Sequence, residues 1–516
     1  MLNAYSQILI QQIPNSTYPN RNNILIINTI DKMMVSNSNE DLIQTAEFTI
    51  SRKIQSILRV KSNYDYTRNS SKAFDVDSEA QVEVYNITYL DFSNIGMSNI
   101  QGAEPLFIYG DMVQINAGYT YYDENGNQLS SIGDGNGWFY AHEKEFPPQN
   151  NGDGQKRSLL FTGYITEISA QFDIRVKCQD YMAFFFQLLV KDVNILSTNT
   201  NKSITNMGGV SYEYGTLQGG ILGLFDIMNG NAVLGVTASS NAVQSFTTAY
   251  NNNKLKSIYN DGIDEIVYIT DLFKIKFNDT TTDDRFGDLK GINYTVGDWF
   301  RQLKDNGWAH IFFYPNSYTL NTSIFRYNHN PFSLGNPNGY QSFLFTFQEN
   351  ILTNKLEYKR TDTLLQGAIV KSTFTITGVQ KPVPGVDANS KPEKTTPIQV
   401  FVGTPGGKIV TFLYGRKSAS IPLNQVQENA LEADMKQWGT RKLADYYYEG
   451  YRGSVTIFGY PYVRHGDQIT IEDKNYPERT GTYMCNKVIY TSGTGIGLRQ
   501  EVFLGEKITG RTYKQI

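Results

Sequence analysis

One unit of sequence occurs twice in this chain, and that repeat limits what the chain can fold into. Tyr109-Gly110-Asp111-Met112-Val113-Gln114-Ile115 is followed later by Phe161-Thr162-Gly163-Tyr164-Ile165-Thr166-Glu167-Ile168. Far downstream, His465-Gly466-Asp467-Gln468-Ile469-Thr470-Ile471 is followed by Gly481-Thr482-Tyr483-Met484-Cys485-Asn486-Lys487-Val488. Each copy starts with a Gly-Asp turn and enters a strand that alternates apolar and polar residues, the period of a half-buried β-strand. A glycine, Gly163 or Gly481, then opens a second alternating strand. A chain that builds one barrel twice reads as a ring component rather than an enzyme.

The 516 residues allow about three to four domains and several buried cores. A hydrophobic fraction of 40%, a charged fraction of 19% and a net charge of −4 suit a soluble globular protein and oppose long disorder. The 35 tyrosines and 29 phenylalanines favour strands joined by turns. Mild acidity with no long basic run leaves no electrostatic footprint for nucleic acid. Cys178 and Cys485 both fall in alternating strand patterns and read as small buried hydrophobes, too few for a disulfide framework or a cysteine zinc site. The N-terminus lacks the basic and apolar regions of a signal peptide. The most apolar window, Leu217 to Val236, contains Gln218, Asp226, Asn229 and Asn231 and fails as a membrane span.

The fold class expected is mainly β with minor α: two related tube-type β-barrels plus a mixed accessory domain. Residues 1–195 form the first barrel with a hairpin insertion. It includes strands near Phe48 and Val84, a tight hairpin at Asn125-Gly126, and a meander from Leu159 to Gln179 closed by Asp180 and Phe184-Phe185-Phe186. Residues 196–342 form a mixed α/β domain. Val296, Phe300 and Leu303 recur at helical spacing there, ahead of Asn306-Gly307. A strand pair follows, Trp308 to Tyr314 and Thr322 to Tyr327. Residues 343–508 hold the second barrel. They carry a long helix from about Asn424 to Tyr448, with Asn424 and Gln427 as capping residues and Val426, Ala430, Leu431, Ala433, Met435 and Trp438 as its apolar face. Residues 509–516 form a tail.

The chemistry-bearing residues do not assemble into a motif. His142, His310, His329 and His465 are scattered, with no metal-ligand spacing. The run Asp123-Glu124-Asn125-Gly126-Asn127 through Asp134 imitates a calcium loop, but Gln128 stands where that loop needs glycine. Asp261, Asp264 and Glu265, and the pair Asp283-Asp284, could serve glycoside cleavage only if a cleft brought two carboxylates together. Their turn-rich surroundings read as solvated loops. Gly493-Thr494-Gly495-Ile496-Gly497 joins two strands and reads as a hairpin connection. No GxSxG, Walker or dinucleotide fingerprint occurs. No catalytic residue, cofactor site or metal site is assigned, and the chain is expected not to be an enzyme.

In the order of its features the chain resembles the baseplate hub proteins of contractile-tailed phages, the late-control-type hubs, and the N-terminal half of type VI secretion spike proteins. The resemblance is carried by Phe161-Thr162-Gly163-Tyr164-Ile165 with Cys178-Gln179-Asp180, Asn350-Ile351-Leu352, His465-Gly466-Asp467-Gln468-Ile469, Gly481-Thr482-Tyr483 and Gly497-Leu498-Arg499-Gln500-Glu501-Val502. Residues 196 to 290 carry none of it. It implies a homotrimer with six barrels in a ring, placed between a hexameric tail tube protein and a trimeric central spike protein. The resemblance extends the expected partners to other baseplate proteins and, as a further candidate, the tape-measure protein. It implies no catalysis, no sequence-specific nucleic acid, and a place in the virion tail baseplate after assembly in the host cytoplasm. The tail-tip protein of a long flexible-tailed phage shares this plan. A glycan-binding or glycan-cleaving β protein is the alternative from another class.

Overall fold

The computed structural model describes residues 2–14, 18–28, 30–50, 55–63, 83–87, 105–121, 157–170, 173–186, 189–190, 193–197, 202–205, 211–214, 273–277, 289–291, 294–305, 310–315, 323–328, 341–360, 365–377, 395–403, 408–414, 432–433, 435–436, 438–440, 442–443 and 449–508. The chain is mainly β with minor α, as expected. The hairpin at Asn125-Gly126 lies outside the described residues.

The first β unit comprises β1 (Leu2–Gln11), β2 (Asn23–Ile27), β3 (Lys32–Ser38), β4 (Thr45–Ile50), β5 (Gln55–Lys61), β6 (Glu83–Ile87), β7 (Met112–Tyr121), β8 (Leu159–Ala170) and β9 (Ile174–Gln179), followed by the one-turn helix α1 (Met182–Phe185). The accessory region contributes β10 (Leu189–Val190), β11 (Val193–Ser197), β12 (Lys202–Thr205), β13 (Ser211–Tyr214), β14 (Phe273–Phe277), β15 (Leu289–Gly291), β16 (Tyr294–Thr295), α2 (Val296–Asp305), β17 (His310–Pro315) and β18 (Ser323–Asn328). The last part contains β19 (Ser342–Thr346), β20 (Ile351–Asn354), β21 (Glu357–Arg360), β22 (Leu365–Thr377), β23 (Thr395–Gly403), β24 (Lys408–Tyr414), β25 (Glu449–Phe458), β26 (Gln468–Glu472), β27 (Gly481–Gly493) and β28 (Arg499–Lys507).

Five neighbouring strands of the first unit have counterparts in the second. In the first, β7, β8, β9, β4 and β3 lie side by side. In the second, β26, β27, β28 and β25 do so, and β20 and β21 lie in line along the outer side of β25. The register also matches. Met112 pairs with Tyr164 as Gln468 pairs with Met484. Ile165 pairs with Cys178 as Cys485 pairs with Leu504. Cys178 faces Ala46 as Leu504 faces Gly453. One flanking strand differs: β1 runs antiparallel to β7, whereas β19 runs parallel to β26.

This register corrects the expected match of Gly163 with Gly481. Gly163 stands where Tyr483 stands, and Phe161 where Gly481 stands. The reason is a swap of small and large residues on one face. A Cβ on Gly163 would meet the Phe161 ring at 2.6 Å, and one on Gly481 would meet the Tyr483 hydroxyl at 3.0 Å. Each aromatic lies over the glycine two positions away, where period-two alternation puts both side chains on the same face.

The units are fused into one sheet. Residues 487–493 of β27 pair antiparallel with β3, from Lys487 opposite Ser38 to Gly493 opposite Lys32. Beneath the joint lies one shared core, in which Val35, Phe48, Ile115, Phe161 and Ile165 pack with Ile469, Tyr483, Val488 and Tyr490. Alternation selects these residues. In β9, Ile174, Val176 and Cys178 are buried while Arg175 faces outward. In β26, Ile469 and Ile471 point inward and Thr470 away. Each buried large aliphatic or aromatic contributes about 1.5–3 kcal/mol. Cys178 and Cys485 are free and buried in this core, and burial pushes both thiol pKa values up.

The helix read from Val296 and Phe300 forms as α2, with both residues buried. Phe300 meets Phe185 edge-on at 5.5 Å, and Arg301 lies 4.6 Å over the Phe186 ring, so α2 seats the accessory region on α1. β17 and β18 form the expected antiparallel pair, and β14 joins β18 in parallel. In the last part, helical residues occur at 432–433, 435–436, 438–440 and 442–443. Met435 and Leu443 pack on Ala368, Val370, Val400 and Val402, and Trp438 meets Phe412 edge-on at 6.1 Å. This helical segment covers its own three-stranded sheet, β23-β22-β24, rather than the second unit. Ala433 is exposed, and Asn424, Val426, Gln427, Ala430 and Leu431 lie outside the described residues.

Candidate functional site: two clamped turns and the junction between units

Both Gly-Asp turns are the same object. Gly110 and Gly466 adopt φ of 88° and 90°, left-handed values that glycine reaches without a Cβ penalty. The Gly110 amide donates to the Ile165 carbonyl and the Ile165 amide to the Asp111 carbonyl, each at 2.9 Å. In the second unit Gly466 donates to Cys485 and Cys485 to Asp467, each at 2.7 Å.

Each aspartate is buried and fully engaged. The Asp111 carboxylate accepts from the Ile108 amide at 2.9 Å and the Ile13 amide at 2.9 Å. Arg21 forks onto it, Nη1 to Oδ1 at 3.0 Å and Nη2 to Oδ2 at 2.7 Å. The Asp467 carboxylate accepts from the Arg464 amide at 2.6 Å and the Gln341 amide at 2.9 Å. Arg157 forks onto it at 2.6 and 2.9 Å. Arg21 also donates to the Leu106 carbonyl and Arg157 to the Tyr462 carbonyl, the same place in each turn. Side chains in both pairs are at most 2% exposed, so both forks are charge-assisted bonds shielded from water. Burial acts to lower the Arg157 pKa, but the Asp467 carboxylate outweighs it and holds the guanidinium above its ordinary value.

The arginines differ in origin. Arg21 belongs to the unit it clamps. Arg157 precedes β8 of the first unit yet clamps the turn of the second. The same joint is reinforced by the Tyr119 hydroxyl donating to the Leu498 carbonyl at 3.0 Å, and within the first unit Asn37 Nδ2 of the junction strand β3 donates to the Leu160 carbonyl at 3.1 Å. The accessory region enters it through β17: the Tyr314 hydroxyl donates to the His465 carbonyl at 2.7 Å, and Gln44 Nε2 donates to the Phe313 carbonyl.

The outward face of the fused sheet carries ion pairs of mixed sign beside exposed apolar side chains such as Met34 and Phe458. Arg175 pairs with Glu47 at 2.6 Å, Lys177 with Glu167 at 2.7 Å and Lys355 with Glu501 at 2.8 Å. Such exposed pairs contribute about 0–1 kcal/mol each; their consequence is a face without a strong field of either sign.

Of the four histidines, only His465 is placed in detail. It is buried against Tyr314, with ring centroids 4.8 Å apart. Burial and the neighbouring Arg464 lower its pKa to about 3, so it is a neutral core ring near pH 7. His310 opens β17. His142, His329, the Asp123–Asp134 run, Asp261, Asp264, Glu265, Asp283 and Asp284 lie outside the described residues. Gly493 to Gly497 forms the turn between β27 and β28, with φ of 81° at Gly495 and 67° at Gly497. Among the described residues no group of three or more His, Cys, Asp or Glu could hold a metal ion, and no helix is long and apolar enough to cross a membrane. Sequence reasoning saw Asp111 and Asp467 as turn formers and missed both arginines. An arginine heading an apolar strand, as in Arg157-Ser158-Leu159-Leu160-Phe161, is the signal that was present.

No protein-family model matches the chain, and no curated protein matches it. Among solved structures it is similar to the tail protein from Neisseria meningitidis MC58, at 8% identity over 97% of this chain and 96% of the other, with a TM-score of 0.45. It is similar to the prophage MuSo2 43 kDa tail protein from Shewanella oneidensis, at 8% identity over 97% and 98%, with a TM-score of 0.41. A chain of the Francisella PdpA–VgrG complex shares 9% identity over all of this chain and 60% of the other, with a TM-score of 0.39.

Proposed function

We propose that the chain is a structural tail protein, a trimeric hub that joins a sixfold tail tube to a threefold central spike in a contractile-tailed phage. The observation that carries this reading is the junction inside the chain. It is heterologous: the β3 edge of the first unit lies along the 487–493 half of β27 in the second. A contact between unlike surfaces leaves each surface's counterpart available for repetition, and repetition through a rotation closes a ring.

Both counterparts exist. The equivalent of β3 is the β20–β21 edge, which pairs with β25 on one side. The equivalent of the 487–493 half of β27 is the β8 segment beyond Thr166. It pairs with β9, while β7 stops opposite Tyr164. Among the described residues neither segment has a strand on its other side. The register of the internal ladder, transferred to these edges, sets Glu167 of one chain opposite Lys359 of the next. Opposite charges directly across a ladder are favourable. Three chains joined this way present six related units, and the join covers strand edges that would otherwise recruit stray partners. The mixed-charge outer face then suits a passage that does not grip a polyanion. The reading assigns no catalysis; function resides in the surfaces, in the virion tail.

The test is a full-length double variant, Glu167→Cys with Lys359→Cys, oxidised and run under denaturing conditions. The native thiols are buried and stay out of the reaction. A ladder that ends at three chains, together with threefold particles in images, is the expected result. Absence of interchain bonds, or a particle with twofold symmetry, defeats the hub reading.

A further inference from the structure

We infer that Arg157 makes completion of the second β unit conditional on the first, so that the two related units form in a fixed order. The two turns offer a matched comparison. Both aspartates take two backbone amides and one forked arginine in an equivalent arrangement. The first turn obtains its arginine from Arg21, at a separation of 90 positions within one unit. The second obtains it from Arg157, at a separation of 310 positions and across the junction.

The consequence follows from the cost of burying charge. A carboxylate in this environment without its guanidinium must remain desolvated and unpaired, or open the turn to water. The first unit can close its turn with residues of its own. The second unit can bury Asp467 only after the strand that Arg157 heads is in place. Arg157 is therefore a positioning residue for the second unit. Its guanidinium also lies 5.7 Å from the Phe343 ring centroid, beside the strand that enters that unit. The β27·β3 ladder reinforces the dependence by supplying a preformed edge. This ordering concerns a single chain and does not rest on the assembly proposed above.

Amide hydrogen exchange on the full-length protein separates the alternatives. Breaking a buried pair on one side should speed exchange in the affected unit by about 100-fold or more. Arg157→Met should do this to amides of Gly466, Cys485 and β28, while Gly110 and Ile165 stay within about threefold of the parent. Arg157→Lys should fail to restore protection, because an ammonium cannot fork. Arg21→Met should speed exchange at both turns, since the second depends on the first. If either variant does not fold, the parent protein in graded urea provides the same reading: amides of β26–β28 should open at lower urea than those of β7–β9. Equal loss at both turns in Arg157→Met, a protected second turn in Arg21→Met, or first-unit opening at the same or lower urea would overturn the inference.

Discussion

The hydroxyls of Thr470 and Thr482 lie 2.9 Å apart across the β26–β27 ladder, on the face opposite the fully buried Ile469 and Ile471. That one-residue difference in position separates two substitutions of identical chemistry. Ile469→Asp should unfold the second unit, because it places an unpaired charge in the shared core at a cost of at least about 4 kcal/mol. Thr470→Asp loses one partly exposed hydroxyl contact, about 1 kcal/mol. Thermal melts of the two variants check this; equal melting temperatures would remove the register assignment.

Gly163 tests the size swap. A Cβ there would stand 2.1 Å from the Gln179 carbonyl oxygen and 2.6 Å from the Phe161 ring. Phe161 could rotate, but the carbonyl belongs to the backbone and cannot yield cheaply. Gly163→Ala should therefore cost about 2–3 kcal/mol by overpacking, and adding Phe161→Leu should not restore it. Recovery of the melting temperature in the double variant would place the strain on the ring instead.

His465 predicts acid lability. Its folded pKa, about 3, lies below the ordinary 6.5, so the unfolded chain binds a proton that the folded chain refuses. Stability is fully present above pH 6.5 and falls as the pH drops toward 3, by on the order of 4 kcal/mol over the whole window. Arg464 is the charged neighbour that reinforces burial. His465→Phe keeps a ring against Tyr314 and should flatten this part of the profile. Urea midpoints at pH 7, 5.5 and 4 measure it, and an unchanged slope would exclude His465 as the source.

Asp180 predicts the opposite dependence. It is fully buried, and burial raises its pKa well above the ordinary 3.8 against the opposing influence of the Gln44 and Met182 amides. The folded state thus holds this proton more tightly than the unfolded state. The contribution is present at low pH and is lost as the pH rises through the folded value. Asp180→Asn should raise stability at pH 7 by about 1 kcal/mol or more and leave it nearly unchanged at pH 3.5. Destabilisation at both values in chemical melts would show that the carboxylate is needed in charged form.

What the sequence made legible was whatever rests on local period. The alternation in Ile469-Thr470-Ile471 and the helical spacing of Val296 and Phe300 both predict burial correctly, because backbone geometry alone fixes which side chains share a face. The Gly-Asp turns were legible because a left-handed glycine leaves few alternatives. The arginines were not. Arg21 and Arg157 reach their aspartates through tertiary placement, and no spacing rule connects residues 90 or 310 positions apart. The β27·β3 ladder was hidden for the same reason: an edge strand does not announce its partner. The Gly163–Gly481 mismatch arose because two glycines looked alike in sequence, while packing conserved the sum of sizes at positions 161 and 163 rather than their order.

Cys178 and Cys485 have a consequence for the medium in which the protein can work. Nucleophilic attack on an oxidant or disulfide needs the thiolate, and burial leaves little of it at either position. The two side chains also have no access to an external oxidant while the core is closed. Once folded, the chain can pass from reducing to oxidising surroundings with its covalent structure unaltered. Nothing in its described strands has to be reduced, oxidised or reshuffled along the way.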